Sequence, residues 1–262
     1  MIGSAKQAAR KLMEPTRLGY KILLARKGYS MSPLRPNAPW MNQVLKEKSE
    51  VERTLGQLRE IGLLPHPDPP KNWDFLAALD FILNHTDRRA RVLDAGGEVY
   101  SPLVEWLFMY GYRFLHVINL TFERDFHLGS IKYMRGDCTA TPYPSEYFDV
   151  VTCLSVIEHG VNLKDLLKES YRILRQGGYL IVSTDYWNEP IDTSGKKAHG
   201  APVKVFTPKE IQELVALAES NGFASTGPLN YSVGSNVVRW EKYGLDYTFI
   251  VLALKKSGAT EK

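Results

Sequence analysis

The chain has 262 residues, 44% of them hydrophobic and 24% charged, the balance of an ordinary globular domain. That composition excludes a collagen, a disulfide-stapled scaffold and a mostly disordered chain. The net charge of +4 is uneven, because residues 1–35 hold eight Lys/Arg against the single acid Glu14, or +7, and leave the rest at −3.

No apolar run reaches the ~18 residues that a membrane helix needs, and the longest, residues 247–254, has strand length. Cys138 and Cys153 give neither a disulfide framework nor metal-ligand spacing, so a reducing cytoplasmic location is expected. No secretory signal is visible, because residues 1–19 lack an apolar core. A basic arm of this kind suits an anionic membrane, nucleic acid or an acidic partner, and the simpler alternative is a solvated terminus.

Three regions follow one another. Residues 1–40 are a basic arm ending in a Pro-rich loop. Residues 41–86 read as a helical segment. A helix is expected over residues 41–61, with Gly62 as its stop. Leu64-Pro65-His66-Pro67-Asp68-Pro69-Pro70 forbids a helix, and a second one is expected over residues 73–84 with Asn72 as N-cap. Residues 87–262 form the third region, in which strands and helices alternate.

The first strand of that region covers residues 91–94. Ser101-Pro102 opens a helix that Gly111 stops. Strands are expected at residues 114–120, 131–134 and 148–154, the last apolar enough for burial on both faces. A helix over residues 162–175 is expected to stop at Gly177-Gly178, ahead of a strand at 179–184. Thr207-Pro208-Lys209-Glu210 has the form of a capping box with proline at the first helical position. A sixth strand is expected within residues 223–233 and a last one at 246–254. This order predicts an α/β fold with a mainly parallel sheet, whose ligands sit beyond the carboxyl ends of the strands.

Val92-Leu93-Asp94-Ala95-Gly96-Gly97, Gly136-Asp137, residues 148–159 (FDVVTCLSVIEH) and Leu174-Arg175-Gln176-Gly177-Gly178-Tyr179-Leu180 stand in order on those strand ends. With them, residues 90–255 resemble a class I S-adenosylmethionine (SAM) dependent methyltransferase of the type 11-like group. The resemblance implies a Rossmann-like, mainly parallel seven-stranded sheet flanked by helices, here with an N-terminal helical extension. It implies SAM as cofactor, with Asp94, Gly96 and Gly97 at its amino-acid end, Asn119 at the ribose, Asp137 and Cys138 at the adenine, and Ser155 at the methionine moiety. A glycine turn lets backbone approach a ligand closely, and the Ser101-Pro102 helix start favours an anion such as a carboxylate.

This chain departs from the family pattern at three positions. Gln176 replaces a proline, Glu98 stands where a glycine is usual, and Asn119 stands where an acid usually accepts the ribose hydroxyls. The substitutions Glu98→Gly and Asn119→Asp are therefore expected to tighten cofactor binding, since an ionised acceptor makes hydrogen bonds about twice as strong as a neutral one.

The resemblance implies that His159 is a base near neutral pKa, against the plainer reading of a loop cap. Asp185 is an alternative base or a ligand of an acceptor hydroxyl, against the plainer reading of a turn residue. His199 reads as solvated. No HxxxH, CxxC or tight Asp cluster suggests a metal, and Ser101 and Ser155 lie in no G-x-S-x-G elbow. Paired stacking aromatics for RNA are also missing, so no nucleic-acid partner is expected.

The expected function is methyl transfer to a small or medium acceptor, an oxygen of a sugar, glycolipid precursor or secondary metabolite. Residues 41–86 are expected to cap the acceptor pocket. Residues 1–35 carry none of the family's elements and are expected to be dispensable for folding while making peripheral contact with an anionic membrane. A catalytically inactive binding or scaffold protein is the alternative, favoured by Glu98 and Asn119. A nicotinamide oxidoreductase ranks lower, because Asp94–Pro102 lacks G-x-G-x-x-G.

Overall fold

The structure, a computed structural model, describes residues 10–198 and 200–258. Lys6 of the basic arm and His199 lie outside the described residues. The strands are β1 (Gln43–Val44), β2 (Arg91–Ala95), β3 (Phe114–Asn119), β4 (Phe126–Leu128), β5 (Ile131–Arg135), β6 (Phe148–Leu154), β7 (Leu174–Tyr186), β8 (Lys197–Ala198), β9 (Ala201–Pro202), β10 (Phe223–Ser225), β11 (Val238–Trp240) and β12 (Leu245–Lys256). The helices are α1 (Arg17–Lys27), α2 (Lys48–Ile61), α3 (Asn72–His85), α4 (Leu103–Met109), α5 (Leu163–Ile173) and α6 (Pro208–Ser220).

The main sheet runs β1-β12-β7-β6-β2-β3-β5-β4. Its centre is parallel from β5 through β3, β2 and β6 to β7, and β12 lies antiparallel on β7. The order β5-β3-β2-β6-β7-β12-β10 contains the seven strands that the sequence implies. Three short strands are added, β4 on β5 and β1 and β11 along β12.

Both faces of the sheet are covered, which explains the continuous apolar strands. Side chains alternate between the faces with the period of two that a strand imposes. Val150, Ile181, Phe249, Val251 and Ala253 join the core beneath α3 and α4. Val151, Leu180, Val182, Ile250 and Leu252 join the core beneath α5 and α6.

Two predicted helix starts change. The first helix begins at Lys48, not near residue 41, because Asn42 has φ of 64° and its side chain bonds Ala253 N (2.9 Å) and Thr226 Oγ1 (3.2 Å). That anchor delivers Gln43 and Val44 to β12 as strand. Asn72 does not cap its helix. Its amide bonds back to the Pro-rich loop, accepting from His66 N (2.7 Å) and donating to the carbonyls of His66, Asp68 and Pro69. α3 is buried almost all round and lies against the sheet, with its first turn at the carboxyl ends of β6 and β7.

One strand start also moves. α5 ends at Ile173, Leu174 is already extended and pairs with Phe148, and Gly177-Gly178 falls inside β7 rather than stopping a helix. The Asn162 N-cap and the Thr207/Glu210 capping box form as the sequence predicts.

Residues 10–35 are not a loose arm. α1 is capped by Thr16, whose hydroxyl accepts from Gly19 N, and it ends at Gly28 with φ of 117°. Tyr20, Leu24 and Tyr29 are buried in the core. Both tyrosine hydroxyls bond Glu105 of α4, at 2.5 and 2.8 Å. The expectation that this segment is dispensable for folding is therefore overturned, since its removal would strip the α4 side of the core.

No helix among the described residues is long and apolar enough to cross a membrane.

Candidate functional site

Hydrogen bonds stitch the carboxyl ends of the central strands into one rim. Gly136 N donates to Asn119 O (3.2 Å), tying β5 to β3, and Gly96 N donates to Ile118 O (2.8 Å), tying the glycine turn to β3. Thr152 Oγ1 donates to Asp94 Oδ1 (2.8 Å), tying β6 to β2. Ser155 N bonds Ser183 O and Oγ, both at 3.1 Å, tying β6 to β7. The rim therefore brings together Asp94, Gly96, Gly97, Asn119, Asp137, Cys138 and Ser155.

The glycine turn needs both of its glycines. Gly96 has φ of 84°, and a Cβ there would stand 2.6 Å from Val156. A Cβ at Gly97 would stand 2.1 Å from Asp94 Oδ2. Asp94 is buried, and burial pushes its carboxyl up to about 6 against the opposing Thr152 hydrogen bond. Its Oδ2 is buried without a protein partner, and so are Ser155 Oγ and Glu158 Oε1. Ser155 also sits at φ of 53°, a backbone conformation that side-chain-bearing residues adopt mostly under constraint. Buried polar atoms are nearly always paired, so three orphans on adjoining strand ends fit a polar ligand seated there.

Asn119 is engaged with the turn itself. Its Nδ2 donates to Gly96 O (2.9 Å), Gly97 O (3.1 Å) and Glu98 Oε1 (3.3 Å), and its Oδ1 accepts from Thr121 N (2.9 Å). Glu98 Oε1 also accepts from Thr121 Oγ1 (3.0 Å). The carboxylate absent from β3 is thus brought to the β3 end by Glu98. On this geometry a carboxylate at position 119 would face three oxygens with nothing to donate.

Asp137 is exposed, and its Oδ1 closes a turn by accepting from Thr139 N and Oγ1, both at 2.8 Å. The half-buried Cys138 thiol is pushed up to about 11 by burial and by Asp137.

Asp185 and the Ile157–His159 turn lie at the next strand ends, where a charged cluster forms. Asp74, Glu158 and Asp185 are all buried. The Ser183 hydroxyl donates to Asp74 Oδ2, and the Thr184 hydroxyl donates to Glu158 Oε2 (3.2 Å). The Tyr247 hydroxyl lies close to the Asp185 carboxyl.

Burial drives the Glu158 carboxyl up to about 7 against the pull of Lys71, and lifts Asp74 to about 6 against its Ser183 bond. Burial, with Glu158 beside it, carries Asp185 well above the usual carboxylate range. Burial opposes the charge on Lys71, but Glu158, Asp185 and Asp74 outweigh it and hold the ammonium above its ordinary range. Such a cluster can take a proton near neutral pH and can hold a positive charge.

Lys71, Asp74, Glu158 and Tyr247 escaped the sequence reading. Glu158 stood inside the quoted strand-end motif beside His159, and its apolar neighbours were the available signal. Lys71 and Asp74 carry no local signal, since only packing of α3 brings them here. His159 is half-buried, and its N–H closes the turn on Val156 O (3.0 Å). A cleft of about 720 Å³ opens beside this turn, lined by Glu158, Val203, Lys204 and the start of α6. None of its lining residues belongs to the glycine turn or the Asp137 turn, so it is separate from the rim.

Among the described residues, no group of three or more His, Cys, Asp or Glu side chains is arranged to hold a metal ion.

A family model described as "Methyltransferase domain" matches residues 113–182. Ubiquinone/menaquinone biosynthesis C-methyltransferases of Yersinia enterocolitica and Yersinia pestis are 30% identical over 89 residues, 34% of this chain and 34% of theirs. The match thus spans about a third of the length of these curated relatives. Among solved structures, geranyl diphosphate C-methyltransferase from Streptomyces coelicolor aligns with a TM-score of 0.53 at 12% identity, over 90% of this chain and 98% of its own. A SAM-dependent methyltransferase from Mesorhizobium loti aligns with a TM-score of 0.50 at 14% identity, over 71% and 97%. At such identities the structural likeness concerns the fold.

Proposed function

We propose that the chain is a class I SAM-dependent methyltransferase that binds SAM on the strand-end rim and methylates a small or medium acceptor, a reading supported by the methyltransferase family model over residues 113–182 and by the likeness of fold. The observation that carries this reading is the pair of buried, unpartnered polar atoms at Asp94 and Ser155 beside the glycine turn. When bound, SAM supplies an electrophilic methyl group for in-line displacement.

The chain's own residues do the rest. Gly96 and Gly97 bring backbone close to the cofactor's amino-acid end, with Asp94 Oδ2 and Ser155 Oγ as the polar contacts. Asp137 accepts from the adenine amino group, with Cys138 alongside. Asn119 braces the turn, and Glu98, held by Asn119 and Thr121, supplies the ribose acceptor.

At the acceptor side the first turn of α3 forms the cap over the β6 and β7 ends. Asp185, with Glu158, receives the acceptor proton. A base whose pKa lies near neutrality is well matched to that task, and burial puts Glu158 at about 7. His159, on the adjacent turn, is the alternative base. We read the acceptor atom as an oxygen of a sugar, glycolipid precursor or secondary metabolite. A carbon acceptor is the second reading, favoured by the likeness to the Yersinia C-methyltransferases.

Calorimetry with SAM and its demethylated product tests the reading, with Asp137→Ala expected to weaken binding about tenfold to a hundredfold through loss of one acceptor. A protein that binds neither compound would be an inactive scaffold on a methyltransferase fold.

A further inference from the structure

At the amino ends of the strands, opposite the cofactor rim, four arginines converge. Arg88 and Arg89 immediately precede β2, Arg113 precedes β3, and Arg17 opens α1; together with Gly111 and Phe114 they line a cleft of about 560 Å³. Arg17 Nη2 reaches Gly111 O at 3.5 Å. The Arg88 side chain lies over the same turn, its Cδ 3.5 Å from where a Gly111 Cβ would stand. Burial and the charge of Arg113 both hold the Arg17 guanidinium below its ordinary range, which places those two cations near each other.

Among the described residues, none of the four arginines is in an ion pair with a carboxylate. The neighbouring Asp87 accepts from the backbone N–H of Arg89 at 2.6 Å. Like charges gathered without a counter-charge are costly for the folded state, and guanidinium forks match phosphate oxygens in geometry and charge.

Exposed apolar side chains stand beside these cations. Phe114 is 44% exposed next to Arg113, and Leu18 is 68% exposed next to Arg17. Leu12, in the basic stretch before α1, is also exposed. Cations interleaved with exposed apolar groups match the boundary of an anionic bilayer, where headgroup phosphates and the first methylenes meet.

We propose that this composite surface, built from the start of α1 and the turns before β2 and β3, docks the protein on anionic phospholipid through headgroup phosphates. Three of its four arginines belong to the domain behind the basic arm, so attachment is a property of the folded protein rather than of residues 1–35 alone. It leaves the carboxyl-end rim facing away from the lipid, and it stands independently of the methyl-transfer reading.

The test is co-sedimentation of the full chain with phosphatidylcholine vesicles, with and without phosphatidylglycerol, for wild type and Arg88→Ser/Arg113→Ser. Both arginines are exposed, so the double variant is expected to keep the wild-type thermal transition. Wild type is expected to sediment only with the anionic vesicles, and the double variant to bind about thirtyfold more weakly, near fivefold for each charge removed. Equal binding by both proteins would assign attachment to the arm alone and overturn the proposal, as would failure of wild type to bind. Titration with inorganic phosphate separates the other source. Phosphate binding that is lost in the double variant, without vesicle binding by wild type, would make the cleft a soluble-phosphate site and overturn membrane docking.

Discussion

Replacing Asn119 by aspartate tests how the glycine turn is held. In the native chain the Asn119 amide donates to Gly96 O and Gly97 O at 2.9 and 3.1 Å and to Glu98 Oε1 at 3.3 Å. Aspartate has no donor, so both carbonyl bonds are lost, at about 1 kcal/mol each. Its charge would also face Glu98. Two carboxylates ~4 Å apart repel by about 4 kcal/mol at an effective dielectric of ~20, which solvent reduces to about 1 kcal/mol at a half-exposed site.

The sum is about 3 kcal/mol, or a fall of roughly 6–12 °C in the thermal transition for a chain of this size. The pH dependence has a definite sign. Repulsion raises the folded-state pKa of the new aspartate above its unfolded value of about 3.9. The charge repulsion is then absent below pH ~4, and the gap to wild type widens as pH rises through the folded pKa. Thermal scans from acid to neutral pH measure this, and Glu98→Gln in the same chain should return part of the loss. A variant as stable as wild type at pH 7, with tighter cofactor binding, would refute the bracing role and restore aspartate to the ribose.

Other outcomes follow from the same geometry. Glu98→Gln alone should weaken binding of SAM several-fold by calorimetry with little change in the thermal transition, because the glutamine amide oxygen remains an acceptor for Asn119 and Thr121. Deleting residues 1–35 should lower the thermal transition by well over 10 °C or give insoluble protein. Tyr20, Leu24 and Tyr29 each contribute about 1.5–3 kcal/mol through burial, comparable in sum to a typical net stability. The SAM-free protein should lose stability as pH rises from about 4.5 through 7, since burial raises the folded pKa values of Asp74 and Asp94 to about 6 and of Glu158 to about 7; Glu158→Gln should flatten that profile in thermal scans. Once an acceptor is identified, Asp185→Asn should lower turnover about 10²–10⁴-fold with cofactor affinity nearly unchanged, whereas the same loss in His159→Ala instead would move the base to the histidine.

The parallel sheet was legible because each of its strands is short, apolar and followed by a recognisable turn or cap. β6 runs over Phe148–Leu154 as its apolar pattern indicates, and the Thr207/Glu210 box starts α6 where local chemistry dictates. Elements fixed by distant contacts were not legible. β1 exists because Asn42 is anchored to Thr226 and Ala253, more than 180 residues away, and the docking of α1 depends on Glu105. The rim residues Asp94, Asn119, Asp137 and Ser155 could be located from strand ends alone. The roles of Asn119 and Glu98 could not, since they follow from which atoms the folded turn places within reach. The same holds for Lys71 and Asp74, which join Glu158 and Asp185 only after α3 packs on the sheet.

The central claim is that the buried, unpartnered atoms on the strand-end rim belong to a SAM site. Titration calorimetry of the full chain with S-adenosylhomocysteine, for wild type and Gly97→Ala, addresses it most directly. A Cβ at position 97 would stand 2.1 Å from Asp94 Oδ2 and must displace the turn or the carboxylate. The account predicts saturable one-to-one binding by wild type and its loss in a Gly97→Ala protein that still unfolds cooperatively. Absence of binding by wild type, or undiminished binding by the variant, would contradict it.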